Sequence, residues 1–247
     1  MSLRQQIDVL YIDESILVIS KPAGTVSVPD SIENGNRSVK AMLSADYGEL
    51  WAVHRLDRDT SGVMVFARDT GTHRTLSLLF EGREVRKVYH ALVEGHPRWM
   101  ERSISAPLTV DADRYHRTIV DHDAGKPATT HFRVLEKFAR GAKRYALVEA
   151  RPETGRTHQI RVHLMTLGSP VVMDRLYGNS VPILLSDIKR NYRGDRESER
   201  PLLGRLGLHA FQLAFRHPRL NDDMQFEAPY PKDFGATLGQ LRKNAAA

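Results

Sequence analysis

Short aliphatic and β-branched runs, cut apart by turn residues, constrain the fold of this chain more than any other feature of its sequence. Residues 7–12 and 15–20 are two such runs, divided by Asp13-Glu14 in the manner of a tight turn. Lys21-Pro22-Ala23-Gly24 ends the second, because proline lacks an amide donor and glycine tolerates positive φ. Further strands are expected at residues 62–67, 87–94, 130–135, 144–149, 208–215 and 224–227. Helical patterning is confined to three places. These are residues 36–46 with Val39, Met42 and Leu43 on one face, a segment marked by Leu76, Leu79 and Phe80 that ends near Gly82, and residues 157–167. Many strands, few helices and no regular βα alternation indicate an α+β fold on a large, mostly antiparallel sheet.

At 247 residues the chain can bury a sizeable core without staples. It contains no cysteine, which excludes disulfides, thiolate metal sites and cysteine nucleophiles together. No apolar run approaches the roughly 18–20 residues of a membrane span, and Met1-Ser2-Leu3-Arg4-Gln5-Gln6 lacks a signal core, so the expected compartment is the cytoplasm. Lysine and arginine number 36 against 30 acidic residues, an excess of 6, and the pI is about 9.6. Such a surface draws polyanions, and arginine suits bidentate phosphate contacts and stacking on bases. No repeat or linker divides the chain, which reads as one domain over residues 1–247, with a frayed Ala245-Ala246-Ala247. One stretch stands apart. Residues 187–205 carry Lys189, Arg190, Arg193, Arg196, Arg200 and Arg205 against Asp187, Asp195, Glu197 and Glu199, without an apolar period in the centre. They read as an exposed insertion, either a solvated loop or an RNA contact.

Several motifs carry no weight. Asp69-Thr70-Gly71 has the form of an aspartic-protease triplet, but those sites need two carboxylates sharing a proton between apolar strands, and a helix follows here. His158 and His163 are five apart, about 140° around a helix, and do not make a metal pair. No phosphate loop or dinucleotide fingerprint is present, so neither a cofactor nor a metal is expected.

Three polar stretches remain that can carry chemistry. His54-Arg55-Leu56-Asp57-Arg58-Asp59-Thr60-Ser61-Gly62 leads into an apolar strand. Its arginines favour a charged Asp57, suited to act as nucleophile or electrostatic stabiliser, or else simply to form a loop ion pair. In Lys87-Val88-Tyr89-His90-Ala91-Leu92, alternation puts Lys87 and Tyr89 on one face. There Tyr89 can stack on a base and move a proton, or serve as an ordinary half-buried sheet residue. In Thr154-Gly155-Arg156-Thr157-His158-Gln159-Ile160-Arg161-Val162-His163-Leu164, Thr157 reads as a helix N-cap with Arg156 and Arg161 nearby. A phosphate or carboxylate suits that end, and ion pairs to a sheet are the alternative.

These stretches, with Lys21-Pro22-Ala23-Gly24 and Leu208-His209-Ala210, resemble the motifs of the RluA-type family of RNA pseudouridine synthases, in the right order from Ile7 to Pro231. The resemblance implies a pseudouridine synthase-like fold with flanking helices and an RNA-binding cleft along the sheet. It implies an isomerase that exchanges the N1–C1′ bond of uridine for a C5–C1′ bond. Asp57 matches the catalytic aspartate. Tyr89 matches a tyrosine that stacks on the target base and takes the C5 proton, Arg161 the basic partner of the aspartate, and Arg55 an arginine that enters the space left by the flipped nucleotide. His54, Arg58, Lys87, Arg156 and His158 are expected as further RNA contacts. The sequence departs from the family at Gly168-Ser169-Pro170 and Met173-Asp174, while Asp174, Tyr177 and Gly178 survive. With a strand near Ile7 there is no room for an S4 domain. The expected substrate is a stem-loop of 23S rRNA or tRNA, bound by a monomer. The rival readings are a non-catalytic RNA-binding protein on the same scaffold and a glycosidase, for which Asp59 is a poor second carboxylate.

Overall fold

The computed structural model describes residues 7–29, 37–140 and 142–244. The start at Met1, the expected helix start at Asn36 and the last three alanines lie outside them. In chain order the elements begin β1 (Asp8–Ile12), β2 (Ile16–Lys21), α1 (Val39–Tyr47), β3 (Trp51–Ala52), β4 (Ser61–Ala67) and α2 (Thr70–Glu81). They continue with β5 (Arg86–Glu94), β6 (Glu101–Ser105), β7 (Leu108–Thr109), β8 (Ile119–Val120), β9 (Thr129–Arg140) and β10 (Lys143–Pro152). The last are α3 (Gln159–Thr166), α4 (Leu185–Ile188), β11 (Leu208–Arg216), β12 (Asp223–Glu227) and α5 (Lys232–Asn244). They gather into two compact units, residues 1–88 with 209–229 and residues 89–208 with 230–247. The chain passes from one unit to the other within β5, at the start of β11 and after Pro229. None of these passages is a linker, which is why the sequence reads as one domain.

In the first unit β2 is antiparallel to β1 and to β4, with Ile19 opposite Val9 and Met64. β4 is buried along its whole length, and β2 likewise, which is why both read as unbroken apolar runs rather than alternating ones. The turn between β1 and β2 is built by Asp13, whose carboxylate accepts from the amides of Ser15 and Ile16. Asp69, of the discarded protease triplet, is the N-cap of α2 and accepts from the amide and hydroxyl of Thr72. β11 runs parallel to β4 through His209–Ser61 and Ala210–Gly62, then antiparallel to β12, so the sheet is mixed and mostly antiparallel.

In the second unit β10 lies antiparallel between β5 and β9, and β6 borders β9. Alternation sorts its apolar residues to two faces. Ala91, Phe132, Val148 and Ala150 pack with Ile160 and Leu164 of α3. Leu92, Phe138, Tyr145 and Leu147 pack with Phe234, Leu238 and Leu241 of α5. Residues 187–205 begin and end inside this second cluster, through Ile188 and Leu203, while most of residues 189–200 are exposed. Arg205 leaves the stretch to form a bidentate pair with Asp233 of α5, at 2.6 and 2.8 Å.

Candidate active site

Asp57 lies in the first unit, half-buried, on the turn before β4. Its flanks are held by buried polar groups. The Ser27 hydroxyl donates to the Leu56 carbonyl at 2.7 Å and accepts from the Leu56 amide at 3.0 Å. On the other side the Arg58 carbonyl accepts from the Gly24 amide at 2.9 Å and from Lys21 Nζ at 3.0 Å. Lys21 is only 1 % exposed, and its ammonium also donates to the carbonyls of Pro22 and Thr25. The Lys-Pro-Ala-Gly turn, with Gly24 at φ +82°, therefore grips the backbone after Asp57, and Ser27 grips it before. The Thr60 amide closes the turn onto the Asp57 carbonyl. Arg55, Arg58 and Asp59 stay exposed, which leaves both arginines open to a polyanion.

Two glycine and histidine positions lock the end of this loop to the sheet. Gly62 has φ +122°, and a Cβ there would stand 2.1 Å from the Ala210 carbonyl oxygen of β11. Ser61 Oγ meets buried His209 Nδ1 at 3.0 Å. His209 Nε2 lies 3.0 Å from the Ala228 carbonyl, which can only accept, so that nitrogen carries a proton. The late Leu208-His209-Ala210 marker thus has a physical task, to receive Ser61-Gly62.

His54, expected as an RNA contact, is committed to the framework. Its ring stacks on Phe80 of α2 at 4.7 Å, and its Nε2 accepts from the Val65 amide of β4. Burial, helped by the Lys87 charge, pushes its pKa down to about 3, so the ring stays neutral and can accept. Lys87 is half-buried on β5, and burial, with Arg83 beside it, lowers its own pKa.

Tyr89 and Arg161 lie in the second unit. Tyr89 stands opposite Ala150 in the register of β5 and β10, half-buried against the cluster that includes Ile160 and Leu164. Arg161, buried on α3, gives Nε and Nη2 to Asp174 in a fork–fork pair, both at 2.7 Å. Asp174 is fully buried and also accepts from the amides of Leu176 and Tyr177. The Tyr177 ring lies on the Arg161 guanidinium, 5.0 Å from Cζ to ring centroid. Its hydroxyl accepts from the Thr118 amide at 2.8 Å and meets His158 Nδ1 at 3.0 Å. His158, another expected RNA contact, is therefore drawn to Tyr177. Arg156 turns elsewhere, with Nε 3.4 Å from the Pro127 carbonyl.

The start of α3 differs from expectation. Thr157 is not its N-cap; His158 occupies that position in the left-handed region at φ 56°, without a side-chain capping bond. Such a conformation costs about 1–3 kcal/mol in a non-glycine residue. The Gln159 carboxamide instead satisfies the polar groups of the turn. Its oxygen accepts from Thr154 Oγ1 and the Arg156 amide, and its nitrogen donates to the Thr129 carbonyl and Thr130 Oγ1. His163 points away to Thr130 Oγ1 and the Ala106 carbonyl. Among the described residues no group of three or more His, Asp or Glu side chains could hold a metal ion, and no helix is long and apolar enough to cross a membrane.

Residue spacing gives no sign that Lys21, Ser27, Asp174, Tyr177 and His209 belong to the site. The one available signal was that Lys21, His209, Asp174 and Tyr177 fall in segments where the family pattern persists.

Comparison with known proteins agrees with this architecture. The family model for RNA pseudouridylate synthase matches residues 15–166. The dual-specificity RNA pseudouridine synthase RluA of Escherichia coli K12 is 37% identical over 221 residues, covering 90% of this chain and 92% of that protein. An uncharacterized RNA pseudouridine synthase of Bacillus subtilis, YlyB, is 35% identical over 96% of this chain and 74% of its own length. Among solved structures, human RNA pseudouridylate synthase domain containing 1 superposes with a TM-score of 0.71 at 28% identity, over 94% of this chain and 86% of that one. With family model, full-length relatives and fold in agreement, this chain belongs to the RNA pseudouridine synthases, enzymes that isomerise uridine within RNA.

Proposed function

We propose that this protein isomerises specific uridines of 23S rRNA, of tRNA, or of both, acting as a cytoplasmic monomer on stem-loops. The RluA relatives carry the words dual-specificity in their names, and the identity to them spans nearly the whole chain. In the reaction the N1–C1′ bond breaks, the detached uracil turns, and a C5–C1′ bond forms. The C5 proton leaves and N1 gains one, so no oxidant, reductant or water is consumed. Asp57 is the catalytic aspartate, Tyr89 stacks on the base and takes the C5 proton, and Arg161 is the basic partner of the aspartate. The base must leave its stack to react, and exposed Arg55 fills the space it vacates. Phosphate contacts from Arg55, Arg58, Lys87 and Arg156 make binding fall steeply with salt.

The observation that carries this reading is the clamp on both sides of Asp57. A carboxylate left half-exposed while its neighbouring backbone is fixed by Ser27, Gly24 and Lys21 is preorganised for a task at the surface. The test incubates wild type and Asp57→Asn with unmodified 23S rRNA and bulk tRNA, then maps pseudouridine by carbodiimide-dependent reverse-transcription stops. Stops made by wild type and absent with Asp57→Asn support the assignment. Stops that survive in the variant refute it, and RNA binding without stops from either protein favours a non-catalytic RNA binder.

A further inference from the structure

Arg161 needs more than a counter-ion to be useful in a reaction. A fork–fork pair fixes the guanidinium in the plane it shares with the carboxylate, but it leaves the joined planes able to tilt out of that plane together. In this structure the turn that supplies the carboxylate also supplies a plate for the guanidinium face. Asp174 holds the Nε–Nη2 edge, while Tyr177, three residues on, lies with its ring 5.0 Å from Cζ. The turn is closed by the Gly178 amide on the Asp174 carbonyl at 2.9 Å and by the Leu176 and Tyr177 amides on the Asp174 carboxylate. The plate is itself tethered at its far end. The phenol oxygen accepts from the Thr118 amide and meets His158 Nδ1, so the ring cannot swing about its own χ angles without breaking two contacts. Burial raises the phenol pKa, which keeps the hydroxyl protonated and the tether neutral.

We infer that Tyr177 is a positioning residue for the pseudouridylation reaction, acting through Arg161. It rests on the proposed role of Arg161 in that reaction. The ring serves through its π face, an attraction open to any aromatic ring on a guanidinium, and the hydroxyl serves by holding the ring in place. The two parts separate cleanly by substitution. Tyr177→Phe keeps the face and loses the tether. Tyr177→Leu and Tyr177→Met lose the face, and Met fills irregular space well enough to guard against a collapsed fold.

The experiment measures tritium release from unmodified 23S rRNA and tRNA transcripts carrying 5-tritiated uridine. Release is compared for wild type, Asp57→Asn and the three Tyr177 variants, with filter binding to the same RNAs. The expected result is a kcat at least tenfold lower for Tyr177→Leu and Tyr177→Met, with KM and RNA affinity within twofold of wild type. For Tyr177→Phe the fall in kcat is about threefold or less, so that an aromatic face rescues what an aliphatic side chain does not. A residue that merely supported the fold would lower the folded fraction and spare the kcat of the molecules that remain. Tyr177→Met turning over at the wild-type rate, or a loss lying wholly in RNA affinity, overturns this inference while the function stands. Wild type releasing no more tritium than Asp57→Asn overturns the underlying reading and this inference with it.

Discussion

Gly62→Ala is the substitution for which the structure makes the sharpest demand. The residue sits at φ +122° where β4 meets β11, and an added Cβ would lie 2.1 Å from the Ala210 carbonyl oxygen, 2.6 Å from its nitrogen and 2.7 Å from its carbonyl carbon. A carbon–oxygen contact wants about 3.3 Å, so the two strands must part by about 1 Å. That is a large fraction of the roughly 4.8 Å spacing between neighbouring strands, and the contact lies against backbone, which cannot rotate away. Three costs follow. The backbone conformation strains any L side chain by about 1–3 kcal/mol. The short parallel pairing of His209 with Ser61 and Ala210 with Gly62 loses hydrogen bonds, each with a net value of about 1 kcal/mol. The Ser61–His209 bond, buried at both ends, opens and leaves a polar atom unsatisfied for about 1–3 kcal/mol more. Together these give a loss of about 4–8 kcal/mol, against a total stability of about 5–15 kcal/mol for a typical domain.

Urea titration followed by circular dichroism measures the effect directly, with Gly239→Ala as the contrast. Gly239 lies in α5 with nothing within 4 Å of an added methyl and no positive φ. Alanine there should stabilise by about 0.5–1 kcal/mol. Because the strained residue terminates the loop that carries Asp57, Gly62→Ala should also lower pseudouridine formation per folded molecule. A loss of under about 1 kcal/mol with full activity would refute the close approach of β11 as the reason for glycine.

Two further outcomes follow from buried titratable groups. His54 has its pKa lowered from 6.5 to about 3; the unfolded chain therefore takes up a proton that the folded chain refuses, and stability, complete above pH 6.5, falls as the pH drops toward 3. Between pH 6.5 and 5 this one residue should account for about 2 kcal/mol, so urea titrations at pH 7 and pH 5 should show a clearly flatter dependence in His54→Gln, and equal slopes would rule the mechanism out. Lys21→Met orphans the carbonyls of Pro22 and Thr25 but leaves the Arg58 carbonyl its bond from Gly24; two unsatisfied carbonyls at about 1–3 kcal/mol each are largely offset by release of a buried ammonium. The fold should hold while kcat drops tenfold or more, and a protein that unfolds yet retains kcat per folded molecule would contradict the clamp.

The strands that the sequence revealed are those whose burial is simple. β2 and β4 are buried along their length and read as continuous apolar runs. β6 escaped notice because its residues, Glu-Arg-Ser-Ile-Ser, are mostly exposed along one border of the sheet and carry no hydrophobic signal. α5 escaped because Gly235 and Gly239 weaken helix propensity, and its stripe of Phe234, Leu238 and Leu241 acquires meaning only against Phe138 and Leu147. Thr157 was a sound N-cap candidate by local rules, overruled by a Gln159 side chain that reaches β9. His54 is an expected RNA contact by family resemblance, and only the packing of α2 adds that its ring is held by Phe80. In each case the missing information is a long-range partner, which residue spacing cannot supply.

The polar residues of the candidate site divide into two populations with opposite energetic signatures. Lys21, Ser27, Asp174, His209 and Gln159 are buried and bonded to backbone groups. Removing any of them strands a partner in a medium where an unsatisfied group is costly. Arg55 and Arg58 are exposed and Asp57 is half-buried, and Ser27, Gly24 and Lys21 hold the loop around them through its main-chain atoms. Substituting Asp57 therefore leaves these main-chain bonds in place, and Asp57→Asn, which keeps the size of the side chain, should unfold within about 1 kcal/mol of wild type. That combination, activity abolished at little cost in stability, separates a residue that performs chemistry from Lys21, whose replacement lowers kcat without abolishing it. A destabilised Asp57→Asn would move this aspartate into the first population, the buried groups that hold the site, and return the search for the nucleophile to its neighbours.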